Sequence, residues 1–389
     1  MNDLPDSNIK IDETNDSTEV KSETTMYAHK VLFLQDYCTR LKGEDCKRCV
    51  MACPKEAITI GKNNAPHIDE DMCTGCGICF GICDAFSSNR VTLIDLHKRI
   101  KRIARQGDTV YFTCPEYLFP GFEPASNVIV LPCIACLPPE FWTLVLAENI
   151  TLRLAFDIRD CAECSRAGEI AEMLYGHAIS TAEEWTEKKV LLSKNLPEKE
   201  NILKDITDPQ GVDRRSAFTN LLGDVGDIAS GKRRLRNSEV LHQFIERREK
   251  SRAIAQLNLR EVDEPNNFAP GGLVRKLLFP KRKMLIEAIE CDSSIAQRIP
   301  LYLAEITCTD IAYNPTFNCP TGALYPDSDT GKVHIEKIFC IGCGLCIDAY
   351  PEGAIDLTQT TAADLNVAAK QDTPSNPIEE KNETAGSAE

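Results

Sequence analysis

The sequence predicts an α+β multi-domain chain in which two cysteine-bearing modules flank a small α/β parallel-sheet domain and a helical charged region. Three observations predict it. Cysteine runs with C-x-x-C spacing recur near both ends, framed by short β-type segments. Between them, strand-like and helix-like patterns alternate through residues 96–190. Residues 191–285 are charged and cysteine-poor, punctuated by Gly223, Gly226 and Gly231. A chain of 389 residues with 43% hydrophobic content can bury several such cores.

Composition narrows the chemistry. Nineteen cysteines in so long a chain argue for thiolate–metal chemistry in a reducing compartment rather than a disulfide framework. Met1 to Thr25 is polar and acidic, without the apolar core that a secretory receptor reads. Apolar runs such as Val128–Ala135 fall far short of the roughly 20 residues that span a bilayer. The expectation is a cytoplasmic chain with no transmembrane segment. Residues 1–26 and 358–389 carry −9 of the net charge of −15, and both read as disordered acidic tails. Nothing in the chain resembles a nucleic-acid binder.

The first module covers residues 27–95. Its predicted strands are Val31–Leu34, Ala57–Ile60 and Val91–Leu93. Between the last two lies Cys73-Thr-Gly-Cys76-Gly-Ile-Cys79-Phe-Gly-Ile-Cys83, a C-x2-C-x2-C-x3-C run. Upstream, Cys38 is followed by Cys46, Cys49 and Cys53-Pro54, with seven residues where the first gap would ordinarily hold two. A loop that much longer costs little closure entropy. Zinc sites want four thiolates in two pairs, not eight in two such runs. The pair of runs resembles the two-cluster bacterial ferredoxin family, in which the fourth cysteine of each run serves the other cluster. The resemblance implies one 4Fe–4S cluster on Cys38, Cys46, Cys49 and Cys83, and another on Cys73, Cys76, Cys79 and Cys53.

In residues 96–190, strands are predicted at Thr109–Thr113, Val128–Leu131 and Thr151–Phe156, and helices at Pro139–Asn149 and Ser165–His177. Cys114, Cys133 with Cys136, and Cys161 with Cys164 each follow a strand. The carboxyl ends of parallel strands share one edge, where ligands bind, so distant thiols are expected to converge there. The segment from Leu131-Pro-Cys133 through Asp160-Cys161-Ala-Glu-Cys164 to Gly168 also resembles the delta subunit family of methyl-viologen-reducing hydrogenases. That resemblance implies an iron–sulfur cluster and electron flow toward a partner reductase. The pattern departs from the family, because Cys114 lacks its paired cysteine and Cys136 is extra. A 2Fe–2S or 4Fe–4S centre, a zinc site and free redox thiols all suit the five cysteines.

Residues 191–285 are expected to form a charged helical linker. Lys232–Arg252 holds eight basic residues against three acids, followed by Arg275, Lys276, Lys281, Arg282 and Lys283. A solvated face or a docking surface for an acidic partner accounts for such a stretch.

The last module, 286–357, repeats the motif as Cys319-Pro, then Cys340-Ile-Gly-Cys343-Gly-Leu-Cys346-Ile-Asp-Ala-Tyr350. Tyr350 stands where the fourth cysteine belongs, and Ile311 and Asn314 stand near the positions of two further missing ones. The ligands of one cluster are lost together, while Cys319, Cys340, Cys343 and Cys346 remain for the other. One 4Fe–4S cluster is expected here, with Tyr350 packed in place of the second and with Cys308 and Cys291 as buried vestiges.

No histidine–nucleophile constellation, Walker loop or dinucleotide fingerprint is present, so no catalytic site is identified. The expected function is a non-catalytic iron–sulfur electron-transfer subunit with three 4Fe–4S clusters and a middle-domain centre. It would serve a partner oxidoreductase of the hydrogenase or heterodisulfide-reductase kind, in anaerobic metabolism. A reductase acting at the middle domain and an iron–sulfur redox sensor are the alternatives.

Overall fold

The computed structural model of the chain describes residues 31–88, 92–156, 158–199, 261–308 and 310–368. Lys232–Arg252 and most of both acidic tails lie outside the described residues, as does Val91.

The first module runs β1 (Val31–Phe33), α1 (Arg48–Ala52), β2 (Ile58–Ile60), β3 (Pro66–Ile68), α2 (Ile78–Ile82) and β4 (Phe86–Ser88). β1 pairs antiparallel with β4, and β2 with β3. The strand that pairs with β1 is therefore Phe86–Ser88, and Thr92 and Leu93 belong to no strand. Thr92 instead caps a helix, its hydroxyl accepting from the Asp95 amide, and α3 (Leu93–Arg105) follows. The helical period of Leu96, Ile100 and Ile103, all buried, outweighs the brief β-type pattern before it.

The middle domain matches its expected architecture. β5 (Val110–Thr113), β6 (Val128–Val130), β7 (Leu152–Leu154) and β8 (Leu191–Leu192) form a four-stranded sheet in the order β6-β5-β7-β8. All three pairings are parallel. α4 (Pro139–Ala147) and α6 (Glu169–Thr186) supply its helices, with α5 (Ile158–Glu163) between them. The second helix opens after Gly168 rather than at Ser165, and it continues nine residues beyond His177 to Thr186. α4 is buried all round from Phe141 to Ala147, because it packs on α6 and on α7 (Pro280–Cys291). Phe112 and Trp142, both fully buried, meet edge to face at 5.7 Å. Each ring of this kind contributes about 1.5–3 kcal/mol by leaving water.

α3 is tied to the end of α4 through Glu148. His97 Nε2 and Lys101 Nζ each lie 2.6 Å from one of its carboxylate oxygens. Burial pushes the Glu148 pKa up, but the hydrogen bonds from His97 and Lys101 outweigh it and hold the carboxyl below its usual value. A depressed carboxyl stabilises the fold at neutral pH, and that stability is lost as pH falls through its folded pKa. Glu148→Gln is expected to cost about 1.5–3 kcal/mol at pH 7. The gap between the denaturation midpoints of variant and wild type should narrow as the pH is lowered toward 4.

Where it is described, the charged region holds a strand pair before the helix α7 begins at Pro280. β9 (Glu261–Pro265) and β10 (Leu273–Leu277) form an antiparallel hairpin. Val274 and Lys276 face inward in alternation, the period of a half-buried strand. Two of the described cations, Arg275 and Lys276, are paired with acids of the chain. Lys276 is buried with its Nζ 2.7 Å from both Glu264 and Glu336, and Arg275 pairs with Asp36 at 3.3 Å.

The last module is built from two strand pairs and a short helix. β11 (Pro300–Ile306) pairs antiparallel with β14 (Ile355–Thr361), enclosing the hairpin of β12 (Leu324–Pro326) and β13 (Val333–Ile335) and the short α8 (Leu345–Ala349). Regular structure continues past residue 357: β14 runs to Thr361, and Ala362 and Leu365 of the following turn are buried. α7 likewise crosses residue 285 without a break. A single apolar core joins Cys76 and Ile78 of the first module, the middle domain and the last module.

Candidate metal centres

Each C-x2-C-x2-C run forms a tight loop leading into a short helix. Gly75 and Gly77 in the first run and Gly342 and Gly344 in the last have φ between 67° and 79°. These left-handed turns let the loop wrap its thiols inward, and glycine adopts them without steric cost. Gly77 and Gly344 cap α2 and α8 respectively, so the two runs share one backbone design.

The thiols fall into four groups. Cys49 lies within electrostatic reach of Cys46 and Cys38, and Cys83 within reach of Cys49. Cys73, Cys76 and Cys79 are each within reach of Cys53 and, with it, line one cavity of about 20 Å³. Pro54, Ile58, Ile68 and Ile78 complete that cavity's wall. Cys319, Cys340, Cys343 and Cys346 line a matching cavity, also of about 20 Å³, against Phe317, Leu324 and Ile335. In the middle domain, Cys133 is within reach of Cys114 and Cys161, and Cys114 within reach of Cys164. The parallel-sheet edge thus brings those four together.

Burial strongly disfavours free thiolates in these groups. It pushes Cys83, Cys133 and Cys346 up to about 12 and Cys343 to about 11, and it raises Cys79 and Cys136 well above the usual thiol value. A buried thiolate exists only beside a compensating positive charge, and a coordinating metal supplies it by deprotonating the thiol outright. Among the described residues no three Cys, His, Asp or Glu side chains close on one point as the ligands of a single ion do. Each of the two cavities is lined by four cysteines, the number of thiolates that holds one iron–sulfur cluster.

Local donors point at the sulfurs. Arg48 Nε lies 3.4 Å from Cys46 Sγ, the Ala304 amide lies 3.4 Å from Cys340 Sγ, and the Thr321 hydroxyl is 3.6 Å from Cys319 Sγ. The amides of Gly75 and Ile78 hydrogen-bond to Cys73 and Cys76. Such bonds favour the thiolate and tune a cluster's potential. Cysteine spacing does not indicate Ala304, because it comes from a distant strand; Thr321 is local to Cys319-Pro-Thr. The Cys161 thiol faces the Tyr175 hydroxyl at 4.0 Å, a pair set up by α5 packing on α6.

Two cysteines stand apart. Cys308 and Cys291 are exposed, not buried as expected. The β11 end turns Cys308 outward, its Sγ 3.7 Å from the Gly353 carbonyl. Tyr350, by contrast, is buried, and its hydroxyl accepts from the Asn314 amide at 3.2 Å. It thereby ties two of the three positions at which the repeat lacks a cysteine. Cys136, 2% exposed, sits within reach of Cys133 and Cys76.

Residues 44–85 match the 4Fe-4S dicluster domain family. Over 44 residues the chain is 39% identical to a ferredoxin of Methanothermococcus thermolithotrophicus, covering 11% of this chain and 73% of that protein. No solved structure matches the chain. Among the described residues no helix is long and apolar enough to cross a membrane. The matched stretch holds seven of the eight thiols grouped in the first module and supports an iron–sulfur electron-transfer role. Through residues 44–85 the chain belongs to the ferredoxin family, with a 4Fe-4S dicluster domain.

Proposed function

We propose that the chain is an electron-transfer subunit whose four thiol groups form one continuous relay. Three 4Fe–4S clusters occupy the Cys38/Cys46/Cys49/Cys83, Cys53/Cys73/Cys76/Cys79 and Cys319/Cys340/Cys343/Cys346 groups. An iron–sulfur centre on Cys114, Cys133, Cys161 and Cys164 forms the fourth, with Cys136 a packed thiol beside it.

The spatial order of the groups carries this reading. Cys133 and Cys136 lie within reach of Cys76, so the middle group abuts the Cys53 group. The close fit of α2 on this segment needs Gly77 and Gly81: a Cβ on Gly81 would lie 2.6 Å from the Ala135 carbonyl oxygen. Within the first module, the thiols at the ends of α1 and α2 cross between its two groups, as the family pattern implies. At the far side, Leu345 reaches within 3.8 Å of a Cβ on Gly43, and Cys343 is within reach of Glu44. A relay in this order has ends, and the ends call for protein partners. We propose a larger oxidoreductase of the hydrogenase or heterodisulfide-reductase kind.

Iron and acid-labile sulfide analysis tests the reading. Anaerobically reconstituted chain is expected to hold about twelve iron atoms from three cubanes and roughly two to four more from the middle group. Eight or fewer would sink the three-cluster assignment. Cys133→Ser should remove only the middle increment; zinc without sulfide at that position would make the middle site structural. Turnover of a disulfide by the isolated chain would instead favour a reductase, for which Cys161 and Cys164, with exposed Ala162 and Glu163 between them, offer the access.

A further inference from the structure

Four charged side chains meet where the three domains join, and the relay as described uses none of them. α7 opens there with Pro280, Lys281 and Arg282. The Lys281 amide donates to Asp84 Oδ1 at 2.9 Å, and Lys281 lies within reach of Cys83 and Glu140. Arg282 is 8% exposed, and its Nη2 donates to the Cys340 carbonyl at 2.6 Å. Its Nη1 is buried without a hydrogen-bond partner, as is Glu140 Oε2. Asp84 and Glu140 are the acids that face the guanidinium.

A buried guanidinium with an unused donor is costly unless its charge has a use. Plain packing would be met by an apolar side chain. The guanidinium keeps its proton in proteins, so it supplies a fixed positive charge beside one ligand of the last group. Reduction of a cluster adds one electron and one unit of negative charge, with no bond made or broken. In a site of low effective dielectric that added charge is stabilised by a neighbouring cation far more than it would be in water.

We propose that Arg282 is a positioning residue for the electron: its charge favours the reduced form of the centre on Cys319, Cys340, Cys343 and Cys346 and makes that centre the one where the relay's electrons settle. The inference rests on the proposal that a 4Fe–4S cluster occupies that group. Lys281 acts in the same sense on the Cys83 side.

The test is a potentiometric titration of the full chain, reduced with dithionite and followed by electron paramagnetic resonance. A Cys346→Ser variant first identifies the last centre's signal by its disappearance. Arg282→Gln is then expected to lower the reduced-to-oxidised ratio of that signal about tenfold at a fixed poise, a shift of about 59 mV. Arg282→Lys, which keeps the charge but not the fork, should recover most of the loss. The signal of the Cys53 group, which Arg282 does not face, should stay in place. Where Arg282→Gln does not fold, Arg282→Met, of similar length and apolar, takes its place in the same comparison. An unchanged potential, an equal shift of every signal, or no recovery with lysine would overturn the proposal. If Cys346→Ser removes neither iron nor signal, it is the cluster assignment that has failed, not the role of Arg282.

Discussion

Replacing Cys346 by serine in the full chain is expected to remove one whole cluster, about four iron atoms, while Cys308→Ser removes none. Cys346 sits at the start of α8, buried in the cavity that it shares with Cys319, Cys340 and Cys343. Three thiolates and a serine hydroxyl hold a cubane far less firmly than four thiolates. Cys308 is exposed at the end of β11 and lines no part of that cavity. The full chain is the proper setting for the comparison, because a fragment starting at residue 286 would cut α7 and discard the β9–β10 hairpin. That hairpin is bonded into the module: the Leu277 amide donates to the Thr321 carbonyl at 2.8 Å. Loss of iron from the Cys308 variant would show that the ligand set has been misassigned.

Gly322→Ala should destabilise the same module by about 3–5 kcal/mol, among the largest costs a single methyl group can impose. Gly322 has φ +68°, and a Cβ there would lie 2.0 Å from the Arg275 carbonyl oxygen and 2.8 Å from its carbon. Both are backbone atoms of β10, so relief requires moving a strand rather than a side chain. The movement would also pull on the Leu277–Thr321 bond and on Cys319, three residues before the glycine. Gly353 is the control: its φ is +71°, but a Cβ there meets nothing within 4 Å. Gly353→Ala is expected to cost about 1 kcal/mol, the conformational term alone. Chemical denaturation of both variants separates the steric cost from the conformational one. Equal losses would mean that the approach of β10 to Gly322 is not the source.

Much of this protein is legible in the sequence, because its determinants are local. The spacing in Cys73–Cys83 and Cys340–Cys346, with glycines in between, dictates tight inward-turning loops whatever surrounds them. The alternation in 96–190 announces a parallel sheet, and the carboxyl-end rule places Cys114, Cys133 and Cys161 on one edge. That Tyr350, rather than a cysteine, follows Cys346 at the fourth position of the run is likewise plain from the sequence. Other features are decided only by tertiary structure, since they depend on partners far apart in the chain. The cations after residue 274 read as a charged surface, yet Lys276 is buried between Glu264 and Glu336 and Arg282 is held by the Cys340 carbonyl. Cys308 and Cys291 look like core residues by type, but the direction in which β11 and α7 end turns them to solvent. The order of the thiol groups is likewise set by α2 docking on Ala135 and Cys136 and by Gly43 meeting Leu345. A motif specifies how one loop folds around its sulfurs; which loops become neighbours follows from the burial of apolar surface that the modules share.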